Sequence, residues 1–381
     1  AQHITGNISF IEIYELSLPE GRILMFQIPP APKGIPIAWK GHYYGRDGEA
    51  LVALNIQEIE TIRGVSYDWS GEICEEATIE DLSIQAINFA RIEFNKKNPL
   101  ISEEIKKWDD VTFLNKAKLT INGKITRAAI LLLGKSESTH FILPYLARIT
   151  WVVKDDKNLE LDYYHIDPPF ILATQILQEK IRNLKYRYMP DTSLFPEELT
   201  KYDPWVLREA LHNCIAHQDY SLKGRIVVVE KPDELIFSNM GSFIPSSVEN
   251  VIKDDAPSKL YRNPFLIEGM ASVNMIDTIG SGIKRMFTKQ RDRYFPLPTY
   301  EILSNEITVR IFGKILNPAF TKLLRERPDL DLSSVILLDY VQKGTRISKE
   351  AHKFFKANGL VEGRYPTLYL SSNVHAATGD K

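Results

Sequence analysis

The chain contains little cysteine, no long apolar run and almost no net charge. Cys74 and Cys214 are the only cysteines among 381 residues, so we expect neither a disulfide framework nor a cysteine-based metal site. No apolar stretch approaches the roughly 20 residues that span a bilayer, which argues against a membrane protein. The formal net charge of -2 argues against a surface that is basic throughout, although a local basic patch stays compatible with it.

Apolar residues, by contrast, are plentiful. They make up 44% of the chain, which is enough for real hydrophobic cores, and the length predicts two or three domains. The first residue is Ala1, and no basic segment followed by an apolar segment marks a secretory signal. We therefore expect a multidomain protein that is located in the cytoplasm.

The N-terminal part of the chain has the pattern of strands. Residues 8–14 and 22–28 are two apolar-rich runs that read as strands. A proline-rich stretch, residues 29–34, separates them from residues 37–48, whose aromatic and cationic side chains suit a hairpin. These elements predict a small α+β unit.

The region that follows is predicted to be mainly helical. Thr78 has the character of an N-cap and opens the helical region 78–134. Residues 147–153 then predict a strand, and residues 170–185 predict a long amphipathic helix. A connecting layer of helices is the expected role of this region.

Glu209 and Asn213 are the first pair of candidate site residues. They are four positions apart, so on a helix they share one face and can reach a common ligand, such as a metal-bound triphosphate. The opposite side of that helix is apolar at helical spacing, at Val206, Leu207, Ala210, Leu211 and Cys214. Cys214 is therefore expected to be a buried, inert thiol. The alternative is a solvated helix face, which is the commoner meaning of an isolated Glu-x-x-x-Asn.

Asn239 and Gly241 stand at the end of a predicted strand. Residues 225–230 and 234–239 read as two strands joined by a hairpin-like turn. At the strand end, the side-chain carbonyl of Asn239 can accept a hydrogen bond from an adenine amino group, and Gly241 allows close approach.

A third motif, Gly280-Ser281-Gly282, precedes an apolar helical pattern. Free amides at a helix N-terminus, together with the helix dipole, favour an anion, and glycines remove side chains that would obstruct it. Taken alone, the motif could equally be a helix-entry turn. His212 and His217 lie five positions apart, which does not place them on one helix face, so we expect structural histidines rather than a metal pair.

The order of these three motifs resembles the GHKL ATPases, the group of gyrase and the histidine kinases. A closer resemblance, which also uses Arg262-Asn263-Pro264, is to bacterial RecG-related proteins and transcriptional regulators that join an AlbA domain to a divergent GHKL domain. The resemblance implies ATP and Mg2+ as cofactors, Glu209 as the catalytic residue that positions or deprotonates water, and Asn213 as the metal ligand. It also implies a lid over residues 254–263 and a cofactor-binding set of Asn213, Asn239, Gly241, Arg262, Gly280, Ser281 and Gly282.

The chain departs from that family in two ways, and both limit which family properties we expect of it. Most GHKL enzymes have Asp where this chain has Asn239, and the exchange removes a charge-assisted hydrogen bond to adenine that is worth about 1.5–3 kcal/mol when buried. No phosphate loop of the Gly-x-x-x-x-Gly-Lys-Ser type and no helicase motor motif occurs. The RecG relationship therefore does not imply helicase activity.

The two ends of the chain resemble modules of nucleic-acid-binding type. Pro29-Pro30 and the run Gly41-His42-Tyr43-Tyr44-Gly45-Arg46-Asp47-Gly48 resemble the C-terminal half of a Schlafen-type AlbA domain, whose opening segment we do not find. Residues 335–341, the Ser348-capped segment 348–355 and residues 359–364 resemble a winged helix-turn-helix. Lys349, Lys353 and Lys356 give its second helix a basic edge, which could also be an ordinary solvated face.

These observations predict an α+β, multidomain chain with a mixed sheet layered on helices. The predicted parts are a partial AlbA-like domain (1–75), a connecting region (76–160), a divergent GHKL domain (161–315) and a winged-helix-like segment (316–381). We expect a regulator of nucleic acid, DNA rather than RNA, that is gated by ATP and hydrolyses it slowly if at all. Homo-oligomerisation is compatible with this, and membrane association is not expected. The alternatives are a non-enzymatic regulator or scaffold with a degenerate pocket, and an RNA-cleaving Schlafen-like nuclease.

Overall fold

The computed structural model describes two compact units, Ala1–Asp68 and Trp69–Lys381. The described residues are 12–18, 21–27, 38–39, 42–47, 50–56, 58–59, 68–188, 197–245, 247–254, 260–277, 280–315 and 317–371. Within these ranges, no helix is both long enough and apolar enough to cross a membrane.

The first unit contains short antiparallel strands. Strands β1 (Glu12–Leu18) and β2 (Gly21–Gln27) pair antiparallel, and β3 (Ala38–Trp39), β4 (His42–Asp47) and β5 (Ala50–Ala53) form a three-stranded sheet. The predicted strand pair and the predicted hairpin are confirmed, although the first strand begins at Glu12 and residues 8–11 lie outside the described residues. The AlbA-like character of this unit stays a prediction.

The second unit is built on a six-stranded mixed sheet. Its strand order is β14-β15-β13-β12-β8-β9, and every neighbouring pair is antiparallel except β8 and β12, which run parallel. The strands are β8 (Ile149–Lys154), β9 (Glu160–Ile166), β12 (Ile226–Glu230), β13 (Glu234–Met240), β14 (Thr299–Ile302) and β15 (Glu306–Phe312). The predicted strands at 147–153, 225–230 and 234–239 are therefore confirmed.

Helices cover this sheet and extend beyond it. They are α1 (Ile84–Lys97), α2 (Ser102–Ile105), α3 (Asp110–Lys116), α4 (Arg127–Leu133), α5 (Ala173–Lys180), α6 (Pro204–His217), α7 (Val248–Asp254), α8 (Pro264–Ser272), α9 (Gly282–Asp292), α10 (Pro318–Glu326), α11 (Leu332–Gln342) and α12 (Lys349–Ala357). The second unit also contains short two-stranded pairs: β6 (Thr120–Ile121) with β7 (Lys124–Ile125), β10 (Lys185–Tyr188) with β11 (Glu197–Thr200), and β16 (Val361–Arg364) with β17 (Thr367–Leu370). The α+β, multidomain fold class is confirmed.

The first long helix begins later than its sequence suggests. Thr78 precedes only a short 3-10 turn, Ile79–Asp81, in which the Asp81 carboxylate accepts from the Thr78 backbone N–H at 2.8 Å. Leu82 is extended, and the backbone N–H of Ser83 donates to the Leu133 carbonyl at 2.7 Å. This tertiary pairing interrupts the helical region, so Ser83 rather than Thr78 caps α1.

The predicted helix over residues 170–185 is shorter than expected. A 3-10 turn, Phe170–Leu172, leads into α5, which ends at Lys180. The backbone N–H groups of Arg182 and Asn183 donate to the buried Glu230 carboxylate at 3.0 and 2.8 Å. Those N–H groups are therefore bonded to a strand residue instead of continuing the helix.

The C-terminal segment has a helix, a Ser348-capped helix and a strand where the sequence predicts them, and it also contains helix α10 and strand β17. Three helices, α10 to α12, are followed by the β16–β17 hairpin, and the Ser348 hydroxyl accepts from the Ala351 N–H at 3.1 Å as the predicted cap. A second hydrophobic core fills this segment, with Phe320, Leu338 and Phe355 buried in it. Its assignment as a winged helix stays a prediction.

Candidate functional site

Helix α6 presents the first two candidate residues, and its start is well defined. The Asp203 carboxylate accepts from the backbone N–H groups of Trp205 and Val206 at 2.8 and 3.3 Å, and Pro204 stands at the first helical position. Leu211 and Ile215, on the apolar side of the helix, are fully buried. The helix predicted from the apolar spacing is confirmed.

Glu209 is a buried carboxylate. Only 7% of the residue is exposed, and the Asn213 Nδ2 donates to its Oε1 at 3.2 Å, as the four-residue spacing requires. Burial raises the pKa of Glu209, while the Asn213 hydrogen bond and the nearby Arg208 charge act in the opposite direction. The alternative of a solvated helix face is excluded for Glu209.

The glycine motif lies directly against this carboxylate. Gly282 is the first residue of α9, and a Cβ atom built on it would stand 1.8 Å from the Glu209 Oε1. Any larger residue would displace the carboxylate, so the two motifs are adjacent in space because residue 282 is glycine. Gly280 has a φ of +85°, a conformation that glycine adopts without strain.

Asn239 approaches the same space from the sheet. It is 5% exposed near the end of β13, and its Nδ2 donates to the Met240 carbonyl at 3.1 Å. The Gln218 side chain holds this strand end, since its Oε1 accepts from the Met240 N–H and its Nε2 donates to the Gly224 carbonyl, both at 2.8 Å. The predicted position of Asn239 at a strand end is confirmed.

These residues share one cavity of about 160 Å³. Its polar lining includes Glu209, Asn213 and Asn239, and Gly280 and Gly282 line it as well. Much of the rest is apolar, including Phe237, Ile267, Ile283 and Val309. Among the described lining residues there are two carboxylates, Glu209 and Asp277, and no lysine or arginine. In the described part of the chain, no group of three or more His, Cys, Asp or Glu side chains is arranged to hold a metal.

Arg262 does not line this cavity, although the family resemblance placed it among the cofactor-binding residues. One guanidinium nitrogen donates to the His217 carbonyl at 3.0 Å, and the other donates to the Ser242 carbonyl and hydroxyl at 3.2 and 2.9 Å. Its Nε lies 3.6 Å from the Asp219 carboxylate. In this arrangement Arg262 joins the end of α6 to the segment after β13.

Gly241 makes room for that arginine. Its φ is +124°, and a Cβ atom there would lie 2.0 Å from a guanidinium nitrogen of Arg262. Neither Gly241 nor Ser281 lines the cavity. Ser281 precedes α9, and its carbonyl accepts from the Arg285 N–H at 2.8 Å. Of the predicted lid, residues 255–259 lie outside the described residues.

The histidines of α6 differ in their environment. His212 is buried, its Nδ1 lies 2.6 Å from the Met275 carbonyl and its Nε2 lies 2.9 Å from the Thr174 hydroxyl. Burial lowers the pKa of His212 to about 4, so the ring is neutral and structural, as predicted. His217 lines the cavity, and burial lowers its pKa to about 4 as well. Cys214 is a buried thiol whose pKa burial raises to about 12.

Tyr300 is a lining residue that sequence reasoning missed. It comes from β14 and stacks on Phe287 of α9, with ring centroids 6.3 Å apart. Burial, followed by the nearby Glu209 carboxylate, raises the pKa of Tyr300. No local pattern marks this residue, because only the strand order of the sheet brings β14 beside α9.

Comparison with known protein families matches two parts of the chain. Residues 224–311 match the family described as "Putative ATP-dependent DNA helicase recG C-terminal". The match includes Asn239, Gly280 and Gly282, and it begins after the helix that carries Glu209. The chain therefore contains an ATPase-like domain related to that family. Residues 60–149 match a domain of unknown function, DUF8451.

Similarity over the whole chain is structural. The DIP2311 protein from Corynebacterium diphtheriae resembles it with a TM-score of 0.56 and 17% sequence identity, over 95% of this chain and 76% of that one. At such an identity the likeness concerns the fold alone. A comparison with curated proteins gives no match.

Proposed function

We propose that the cavity around Glu209 binds ATP with Mg2+. The observation that carries the proposal is the convergence of Glu209, Asn213, Asn239 and Gly282 on one cavity. They come from two helices and a strand, of which β13 and α9 lie within the matched residues 224–311. Convergence of three separate motifs on one cavity is what a dispersed nucleotide site requires. Three unrelated motifs would not be expected to line the same cavity.

The residues present suit these two groups. The apolar walls suit a base, and the Asn239 amide oxygen can accept from an adenine amino group. The Asn213 amide oxygen accepts no hydrogen bond from the described residues, while its Nδ2 is used by Glu209, so that oxygen is available to Mg2+, which prefers oxygen ligands. The N-terminus of α9 offers backbone N–H groups to phosphates. Since no described lining residue is cationic, the metal would supply the counter-charge.

Calorimetric titration of a non-hydrolysable ATP analogue with Mg2+ tests this proposal. We expect saturable binding to the wild type and a loss of about tenfold or more in affinity, ~1.4 kcal/mol, in Asn213→Ala. Asn358→Ala, in which an exposed asparagine after α12 is truncated, serves as the matched control and should bind as the wild type does. Failure of the wild type to bind, or equal binding by Asn213→Ala, would show that the proposal is wrong.

A second candidate is a regulator whose pocket binds a small ligand without turnover. Two observations favour it: Asn239 replaces the family's carboxylate, and the cavity of about 160 Å³ is smaller than the roughly 300–1,000 Å³ of typical small-molecule pockets. Phosphate release distinguishes the two candidates. A turnover that Glu209→Gln abolishes supports a weak ATPase, since the glutamine keeps the shape and removes the base. Nucleotide binding without any turnover supports the regulator.

We also propose that nucleotide binding reaches the C-terminal segment and changes its contact with nucleic acid. Gly282 and Phe287 belong to α9, Phe287 stacks on Tyr300 of β14, and Thr299 of β14 accepts from the Lys343 Nζ of α11 at 2.9 Å. Lys349, Lys353 and Lys356 of α12 are exposed. These contacts form a continuous path from the cavity to the C-terminal segment, and a movement at the cavity would act on the segment through them.

Fluorescence anisotropy of labelled duplex DNA, with and without the ATP analogue, tests this part of the proposal. We expect the variant Lys349→Gln/Lys353→Gln/Lys356→Gln to bind more weakly and with a smaller salt dependence, because phosphate contacts release counterions. The matched control exchanges three exposed lysines elsewhere, Lys106, Lys107 and Lys116. A DNA affinity that does not depend on nucleotide, or that is equal in both triple variants, would contradict the proposal. If the protein binds labelled RNA and not DNA, DNA is the wrong partner.

A further inference from the structure

A second cavity lies on the other side of α6 from the Glu209 cavity. It has a volume of about 370 Å³, within the range of roughly 300–1,000 Å³ that is usual for small-molecule pockets. Helices α1, α5 and α6 and the segment after α8 surround it, and it shares no lining residue with the first cavity. Helix α6 therefore separates two cavities, with Glu209 and Asn213 beside one and Arg208 and His212 beside the other.

Arg208 is the unusual side chain in this second cavity. Among the described residues its buried Nε has no hydrogen-bond partner and the guanidinium forms no ion pair, although its charge contributes to the lowered pKa of Glu93 in the same cavity. A guanidinium carries five N–H donors in a planar fork. The Nε itself has almost no accessible surface, so a ligand in the cavity would reach the terminal nitrogens of the guanidinium, for which the described residues provide no hydrogen bond and no ion pair.

The other walls indicate what kind of molecule could bring an acceptor to these nitrogens. Amide side chains of Gln175, Gln178 and Asn274 contribute further polar groups, and the apolar side is formed by Phe89, Ile171, Trp205, Val273 and Met275. His212 is already bonded to Met275 and Thr174 and is neutral, so it adds no charge. These walls suit a ligand that has a flat or chain-like apolar body and one polar end.

Glu93 limits the charge of that polar end. Its carboxylate lines the same cavity, where it accepts from Asn274 Nδ2 at 2.8 Å and pairs with Lys96. A doubly charged phosphate beside it would be repelled more strongly than a singly charged carboxylate. Arginine binds a carboxylate through two parallel N–H···O bonds. We propose that this cavity binds a small organic carboxylate, with the carboxylate group on Arg208 and the apolar body on the side of Trp205 and Phe89.

The test measures charge-dependent binding to the full chain, independently of ATP. Benzoate, phenylacetate, indole-3-acetate and octanoate are titrated at fixed ionic strength, each beside its uncharged amide, and inorganic phosphate is titrated separately. We expect at least one carboxylate to bind about tenfold or more tightly than its amide, and this preference to vanish in Arg208→Met. Arg325→Met, which removes an exposed arginine of α10, is the matched control and should leave binding unchanged.

A second variant covers the case in which Arg208→Met does not fold. Gln178→Trp keeps Arg208 and fills part of the cavity, so it should abolish carboxylate binding while the ATP-analogue titration stays as in the wild type. Absence of an Arg208-dependent carboxylate preference across the whole panel would overturn the proposal. Phosphate binding without carboxylate binding would also overturn it, because the assigned ligand class would then be wrong.

Discussion

At residue 282 the absence of a Cβ atom leaves room for the Glu209 carboxylate, which would otherwise be 1.8 Å from that atom. We expect Gly282→Ala to fold with a free energy of unfolding within about 1 kcal/mol of the wild type, because alanine favours the helix. The displaced Glu209 would no longer orient Asn213 through their hydrogen bond. Affinity for the ATP analogue should then fall about tenfold, as measured by calorimetry.

A double-mutant cycle separates this effect from a general disturbance of α9. In a Glu209→Ala background the carboxylate is gone, so adding Gly282→Ala should have little further effect on affinity. Additive losses in the double variant would show that residue 282 acts independently of Glu209.

His212 predicts how stability depends on pH. Burial lowers its pKa to about 4 in the folded protein, whereas an unfolded chain has a histidine pKa of about 6.5. The unfolded state therefore binds more protons between these values, and the free energy of unfolding should decrease as the pH falls from about 6.5 to about 4, by up to roughly 3 kcal/mol. Urea unfolding at several pH values measures this slope, and His212→Gln should make it shallower while leaving the contribution of His217, whose pKa burial also lowers to about 4. An unchanged slope in that variant would assign the pH dependence to other groups.

On the scale of single elements, the end of α5 depends on a side chain of β12. Glu230 is fully buried and accepts from Trp151 Nε1 at 3.0 Å, from the Arg182 and Asn183 backbone N–H groups, and from Asn183 Nδ2 at 2.8 Å. The contact joins the sheet to the segment after the helix. It is a structural carboxylate, which sequence analysis did not single out.

We expect Glu230→Ala to lower the free energy of unfolding by about 3 kcal/mol or more, since several buried donors lose their acceptor. Glu230→Gln keeps one acceptor oxygen and should cost less. Urea unfolding measures both, with the exposed Glu160→Ala on β9 as the matched control. Equal losses in the alanine and control variants would contradict this role.

Helix α6 is the element on which the two inferred sites meet. Arg208 and Glu209 are sequence neighbours. The Arg208 charge lowers the pKa of the Glu209 carboxyl, although burial has the larger, opposite effect. A carboxylate bound to Arg208 would offset this attraction. Occupation of the second cavity is therefore expected to weaken the ionised state of Glu209.

On the scale of the whole second unit, a buried ion pair joins the ATPase-like domain to the C-terminal helices. The Lys343 Nζ donates to the Leu297 carbonyl at 2.6 Å and also pairs with Asp339, which is 1% exposed. Asp339 in turn accepts from the Leu297 N–H at 3.2 Å. The contacts hold α11 against the segment that precedes β14.

Removing one partner of this pair leaves the other charge buried. We expect Lys343→Met to lower the free energy of unfolding by about 3–5 kcal/mol, and Lys343→Met/Asp339→Asn to recover part of the loss because no unpaired charge is left. Urea unfolding checks both, and limited proteolysis would report loosening of the C-terminal helices. A double variant less stable than the single one would show that the pair contributes more than charge compensation.

Several features of this protein were predicted correctly from the sequence by itself. Helix α6, with Glu209 and Asn213 on one face, follows from apolar spacing, and strands β12 and β13 follow from two apolar runs with a turn between them. Ser348 as the cap of α12 is equally local. Such features depend on interactions within a few residues, so neighbouring residues determine them.

Other features were decided by the tertiary structure. The start of α1 at Ser83 depends on Leu133, the end of α5 depends on Glu230, and the place of Arg262 depends on carbonyl groups of α6 and of the segment after β13. The contact of Gly282 with Glu209 and the arrival of Tyr300 beside α9 also join residues far apart in the chain. The sequence determined the helices, the strands and their apolar faces, because these depend on interactions between neighbouring residues. The sites were determined by the tertiary structure, because each buried polar group needs a hydrogen-bond partner and the fold supplies that partner from a distant part of the chain.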